Sequence, residues 1–132
     1  MIVAILALAA TTCSLAAESG SKGYSFRIQA HQNNTSVATP LYRDVATNNS
    51  GVPWYVLMTS SQEGTGTITR YWLEKSDGTN VSPDCDAKQG TAYHPAAYDY
   101  ANKKYVYLTA ENNTDNSDMY TVSGYWKAKS SY

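Results

Sequence analysis

Between residues 105 and 127, apolar and polar side chains alternate with a period of two on either side of one polar stretch. Val106, Leu108 and Ala110 fall on one side of the first half and Tyr105, Tyr107, Thr109 and Glu111 on the other, the pattern of a strand with one buried face. Tyr120, Val122, Gly124 and Trp126 repeat it against Thr121, Ser123, Tyr125 and Lys127, with β-branched and aromatic residues that suit a pleated surface. The run 112–119 between them is Asn- and Asp-rich, has no apolar period and predicts a loop.

The same pattern predicts further strands upstream. In 24–30, Phe26, Ile28 and Ala30 alternate with Ser25, Arg27 and Gln29, whereas 31–39 is polar and irregular. Pro40 opens 41–45, which reads as an edge strand because a central position would need the N–H that Pro lacks. Residues 54–60 are apolar on both faces and predict a central strand. In 65–75, Ile68 and Trp72 lie on one face and Tyr71 and Leu73 on the other; with a short loop at 61–64, this strand is expected to form a hairpin with 54–60. Asp77-Gly78 is a strong turn dipeptide that sends the chain back toward Val81. Pro83, Gly90 and Pro95 then break the pattern, leaving short strands at 84–88 and 92–94. No stretch beyond the first residues sustains a helical period. About seven short strands separated by turns predict an all-β, single-domain antiparallel β-sandwich, with a barrel as the alternative. Trp72 and Trp126 are expected to be buried.

The first residues follow a different rule. Residues 1–16 carry no charge, and 2–10 is an apolar run of the length of a signal-peptide core, short of the roughly 20 residues that span a bilayer. Ser14, Leu15 and Ala16 place small residues where a signal peptidase reads them, so 1–16 is expected to be a signal peptide and 17–132 a secreted domain, with cleavage after Ala17 as the second choice. A lipid attached at Cys13 is the competing reading, disfavoured by the bulk of Thr12 before it.

Removal of that segment leaves 116 residues, enough for one two-layer core. Ten basic residues against eleven acidic ones give a formal charge of −1, with no basic run, which argues against nucleic acid or an anionic membrane as partner. Cys85 is then the sole cysteine of the domain, so no internal disulfide is expected to hold it. Twelve tyrosines against one phenylalanine suit strands half in water, where the ring contributes buried area and the hydroxyl stays solvated.

The segments Gly64-Thr65-Gly66-Thr67-Ile68-Thr69, Tyr71-Trp72-Leu73, Lys88-Gln89-Gly90, Ala110-Glu111-Asn112-Asn113 and Tyr120-Thr121-Val122-Ser123-Gly124-Tyr125-Trp126 resemble a domain-of-unknown-function family of small secreted proteins from Gram-positive bacteria (Firmicutes). The resemblance runs from Tyr24 to Trp126. It rests on strand and turn residues, implies a secreted bacterial protein, and supplies no catalytic or binding residue.

Candidate chemistry is sparse. Cys85 with His94, oriented by Asp84, Asp86 or Asp99, has the residue types of a cysteine hydrolase, but flanking aspartates would raise the thiol pKa, the reverse of what a thiolate nucleophile needs. His31 and His94 lack zinc-ligand spacing. Glu111, Asp115 and Asp118, among neighbouring asparagines, place hard oxygen ligands in one segment, and calcium is the cofactor they would suit. Asn33, Asn34, Asn48, Asn80 and Asn112 open Asn-x-Ser/Thr triplets, glycosylation acceptors only in a eukaryotic secretory route. The residue pattern therefore points to a secreted non-enzyme that binds a surface glycan or protein through Tyr105, Tyr107 and Tyr125, expected as a row on the outer face of neighbouring strands. The alternatives are a bacteriocin-like effector or its accessory protein and, more distantly, the cysteine hydrolase.

Overall fold

The computed structural model describes residues 16–131, so the apolar run and Cys13 lie outside the described residues. Nine strands occur among these residues, and every pairing is antiparallel. They are β1 (Lys22–Ile28), β2 (Thr35–Ser36), β3 (Leu41–Arg43), β4 (Tyr55–Ser61), β5 (Ile68–Glu74), β6 (Cys85–Lys88), β7 (Ala92–Tyr93), β8 (Lys104–Asn112) and β9 (Tyr120–Lys127). One sheet has the order β1-β9-β4-β7. The other has the order β2-β8-β5-β6, with β3 pairing the same strand β8 beyond β2. The two sheets form a sandwich, and no helix of the described residues is long and apolar enough to cross a membrane.

The alternation dictates which faces meet. Ile28 of β1, Val56 and Met58 of β4, Tyr71 and Leu73 of β5, Val106, Leu108 and Ala110 of β8, and Tyr120, Val122 and Trp126 of β9 join one core between the sheets. Trp126 is buried there, as its period predicts. Trp72 is also buried, but on the opposite side of β5 from the core residues Tyr71 and Leu73, with its indole N–H donating to Glu74 Oε1 at 2.8 Å. Its burial therefore arises on the outer face.

The expected hairpin of 54–60 with 65–75 does not form. β4 is a central strand of the first sheet, between β9 and β7, whereas β5 lies between β8 and β6 in the second. The connection crosses from one sheet to the other through a turn in which the Thr67 hydroxyl donates to the Gly64 carbonyl at 2.7 Å. Apolar side chains on both sides of β4 call for cover on both sides, and its outer residues Tyr55 and Leu57 are buried as well. Ala30, read as strand, instead starts a single 3-10 turn at Ala30–Gln32, where His31 and Gln32 adopt φ of 57° and 55°. The His31 N–H there reaches the Asn116 carbonyl at 2.7 Å. The two-residue β2 lies in a stretch read as irregular.

Two local features fix the architecture. Between Met58 and Ser60 the register of β4 against β9 shifts, leaving Thr59 as an extra residue. At this point a Cβ on Gly124 would sit 1.9 Å from the Leu57 carbonyl oxygen, so only glycine fits. Arg43, at the end of β3, is fully buried, and its guanidinium donates to the carbonyls of Val52, Pro53 and Ala128 and to Asn102 Oδ1.

Candidate functional site

The outer face of the second sheet carries the most exposed aromatic residues of a strand. Register places Tyr42 of β3 opposite Tyr105 of β8, and their ring centroids are 5.1 Å apart at 59°. Both are open to solvent, at 46% and 63% of full exposure. Tyr107, two residues along β8, is half-buried opposite Glu74, the acceptor for Trp72. A second ring pair, Tyr98 and Tyr100, is stacked at 5.2 Å around the 3-10 turn Asp99–Ala101. The Tyr100 hydroxyl donates to the Asn80 carbonyl at 3.3 Å, and Asn80 bridges to Glu74, so this pair stands at the same end of the sheet.

Farther along the same face the register aligns Glu111 of β8, Arg70 of β5 and Asp86 of β6. Arg70 binds Asp86 in a fork, Nε to Oδ1 at 2.8 Å and Nη2 to Oδ2 at 3.3 Å, with Glu111 at 3.6 Å and Asp84 at 3.9 Å. Three carboxylates around one guanidinium leave the patch net acidic. Hydrogen bonding to Asp86 raises the Arg70 pKa, while burial raises that of Glu111 above the usual carboxylate value, with the Arg70 charge opposing it.

Tyr125 is elsewhere. It lies on β9, in the first sheet, and is exposed on the opposite broad face beside Ser123 and Thr59. The three tyrosines expected to form one row are thus divided between the two outer surfaces: Tyr105 and Tyr107 belong together, and Tyr125 does not join them. Consecutive strands β8 and β9 share a core but not a sheet, which their alternation could not distinguish.

The carboxylates expected to suit calcium each face a different partner. Glu111 faces Arg70, Asp115 Oδ1 lies 3.2 Å from His31 Nδ1, and Asp118 neighbours Glu63, whose pKa burial raises, with the charge of Asp118 adding to the effect. The loop amides turn inward, Asn112 Nδ2 donating to Asn116 Oδ1 at 2.9 Å and the Asp118 N–H to the same oxygen at 3.0 Å. Among the described residues, no group of three or more His, Cys, Asp or Glu is placed to hold a metal ion.

Cys85 and His94 do not assemble the hydrolase arrangement. Cys85 points into the core from β6, and burial, with Asp86 adding to it, pushes its thiol up to about 11. His94 packs its ring on Tyr55 at 5.4 Å, with Nε2 3.4 Å from Glu18 Oε2. Glu18 also receives the Ser131 N–H, the Ser130 hydroxyl and the Lys127 ammonium, the last at 3.1 Å. This clasp over the outer face of the first sheet, like the pairing of Tyr42 with Tyr105, depends on register between distant segments.

Together these features define a small all-β sandwich of two antiparallel sheets with a tyrosine-rich outer face. The chain belongs to the family described as "Protein of unknown function (DUF2712)", whose model matches residues 12–130. No curated protein and no solved structure matches it.

Proposed function

We propose that this protein is a secreted, non-enzymatic module that binds a cell-surface glycan through the outer face of its second sheet. The observation that carries the reading is the Tyr42–Tyr105 ring pair, both rings exposed and held side by side by strand register. Exposed aromatic rings on a rigid scaffold offer large contact area at small entropic cost, and their apolar faces suit the C–H faces of sugar rings. Glu74, Asp86 and Glu111 on the same face add acceptor-only oxygens for sugar hydroxyls. The apolar run 2–10 followed by small residues supports secretion.

The test is cosedimentation of the purified protein with cell-wall fragments, before and after protease treatment of the walls. Tyr42→Ser together with Tyr105→Ser should abolish retention while leaving the urea midpoint nearly unchanged, and Tyr125→Ser should retain binding. Retention of the double variant at the parental level would refute the assignment of the site. Retention that disappears when the walls are treated with protease would make the ligand a protein rather than a glycan.

A further inference from the structure

We propose that β1 is a strand-addition site, taking an extended peptide of a partner protein whose apolar side chains alternate and whose C-terminal end is acidic. The two long sides of the sandwich are unlike. On one, β6 and β7 are joined by a tight turn across the two sheets, with the Gly90 N–H on the Met58 carbonyl at 2.8 Å and the Thr91 N–H on the Lys88 carbonyl at 3.3 Å. On the other, β1 ends the first sheet and β2 and β3 end the second, and the contact that joins them is the Thr35 hydroxyl donating to the Arg27 carbonyl at 2.9 Å.

That contact fixes the direction of the β1 backbone. The Arg27 carbonyl faces away from β9, so the N–H and C=O of Ser25 and Gly23, two and four residues earlier, do too. β9 agrees: its Thr121 and Ser123 carbonyls point to the far side, accepting the Gln62 N–H and the Thr59 hydroxyl. Among the described residues, no backbone group pairs with Gly23 or Ser25 on this edge. β1 has neither proline nor bulge, and its charged residues, Lys22 and Arg27, stand toward its two ends and leave the stretch from Gly23 to Phe26 uncharged.

Beside this edge runs a groove of about 360 Å³ between the sheets, with Tyr24, Trp126, Val37 and Leu41 in its lining. A second hollow of about 210 Å³ shares Lys22 and Leu41 with it and adds Lys127 and Lys129. Lys127 is held by Glu18, whereas Lys22 and Lys129 are exposed. An unpaired strand edge requires a partner with its own peptide groups, which an acyl chain lacks. The apolar groove takes every second side chain of such a strand. In an antiparallel addition the C-terminal end of the peptide lies beside Lys22, where the lysines favour a carboxylate.

The experiment uses the secreted domain labelled with ¹⁵N and a short acetylated peptide of alternating Thr and Val ending in Asp, with an otherwise identical peptide ending in Lys. The Asp peptide should shift the amide signals of Gly23 and Ser25 and slow their hydrogen exchange, and the Lys peptide should bind more weakly. Ser25→Pro removes an outward N–H at a position where an edge strand tolerates proline, and should abolish the shifts still readable there, those of Gly23 and its neighbours, with the fold retained. Val37→Asp, which leaves β1 intact, should abolish them as well. The proposal is overturned if the Gly23 and Ser25 signals are unmoved, if both peptides bind equally, if a folded Ser25→Pro variant binds as the parent does, or if dodecanoate occupies the groove and the peptide does not.

Discussion

Replacing Arg43 with Ala should be among the most damaging single changes in this protein. The side chain is 1% exposed, and among the described residues no carboxylate forms an ion pair with it; burial lowers its pKa from the usual value. Its charge is held by carbonyl dipoles instead: Val52, Pro53 and Ala128 accept from the two terminal nitrogens, and Asn102 Oδ1 accepts from Nε at 2.9 Å. Asn102 in turn donates to the Ala46 and Asn49 carbonyls at 3.0 and 3.1 Å, so one guanidinium organises β3, the 46–53 loop and the segment after β9. Hydrogen bonds to a charged group are worth about 1.5–3 kcal/mol each. They are not additive, and water can enter part of the space left behind, so we expect a loss of about 3–5 kcal/mol. That is a large share of a stability of roughly 5–15 kcal/mol. Arg43→Lys restores a charge but not the planar fork, and should fall between parent and Ala variant. Urea denaturation followed by tryptophan fluorescence measures both. A midpoint for Arg43→Ala indistinguishable from the parent, at an unchanged slope, would refute the reasoning and show that water replaces the guanidinium without cost.

Gly124→Ala should cost about 3 kcal/mol, since its methyl group would meet the backbone of β4 on a central strand. Gly66→Ala, where nothing lies within 4 Å, should change stability by less than about 0.5 kcal/mol in the same urea titration. Burial alone would raise the Glu18 pKa, but hydrogen bonds from Ser131, Lys127 and Ser130 outweigh it and bring the carboxyl from 4.5 down to about 2. A depressed folded-state value means that its contribution, about 2–3 kcal/mol, is full above the ordinary pKa and is lost as pH falls toward the folded one. Glu18→Gln should therefore be less stable than the parent at neutral pH, with the difference closing between pH 4.5 and about 2; a difference that stays constant with pH would contradict the clasp.

Alternation was sufficient to locate β4, β5, β8 and β9 and to assign the core faces of β8 and β9, because burial on one side of a pleated strand leaves a direct trace in the residue order. It also placed the short strands around Cys85 and Ala92, which the prolines and Gly90 delimit. Which strands share a sheet left no such trace. Residues 54–60 and 65–75 look like a hairpin, yet each finds partners elsewhere, and Tyr125 has the same phase as Tyr105 while facing the other way out. Tyr42 could be read as the outward residue of an edge strand, but its pairing with Tyr105 is a matter of register between segments nearly half the chain apart. β2 has only two residues and no periodicity to detect. Arg43 and Glu18 gave no sign at all, since a buried guanidinium on carbonyls and a carboxylate clasp depend on turns brought together by the finished fold.

The pairing of β1 with β9 has a kinetic consequence. Lys22 stands opposite Trp126 and Ile28 opposite Tyr120, so the first strand of the described chain hydrogen-bonds to the last. Closing so long a loop must precede the contacts that reward it, and all-β domains built this way fold in roughly milliseconds to seconds. During synthesis β1 cannot take its place until β9 has emerged. Throughout that interval Tyr24, Phe26 and Ile28 lack the strand that pairs with them, so the first sheet cannot be completed until the last strand of the described residues has been made.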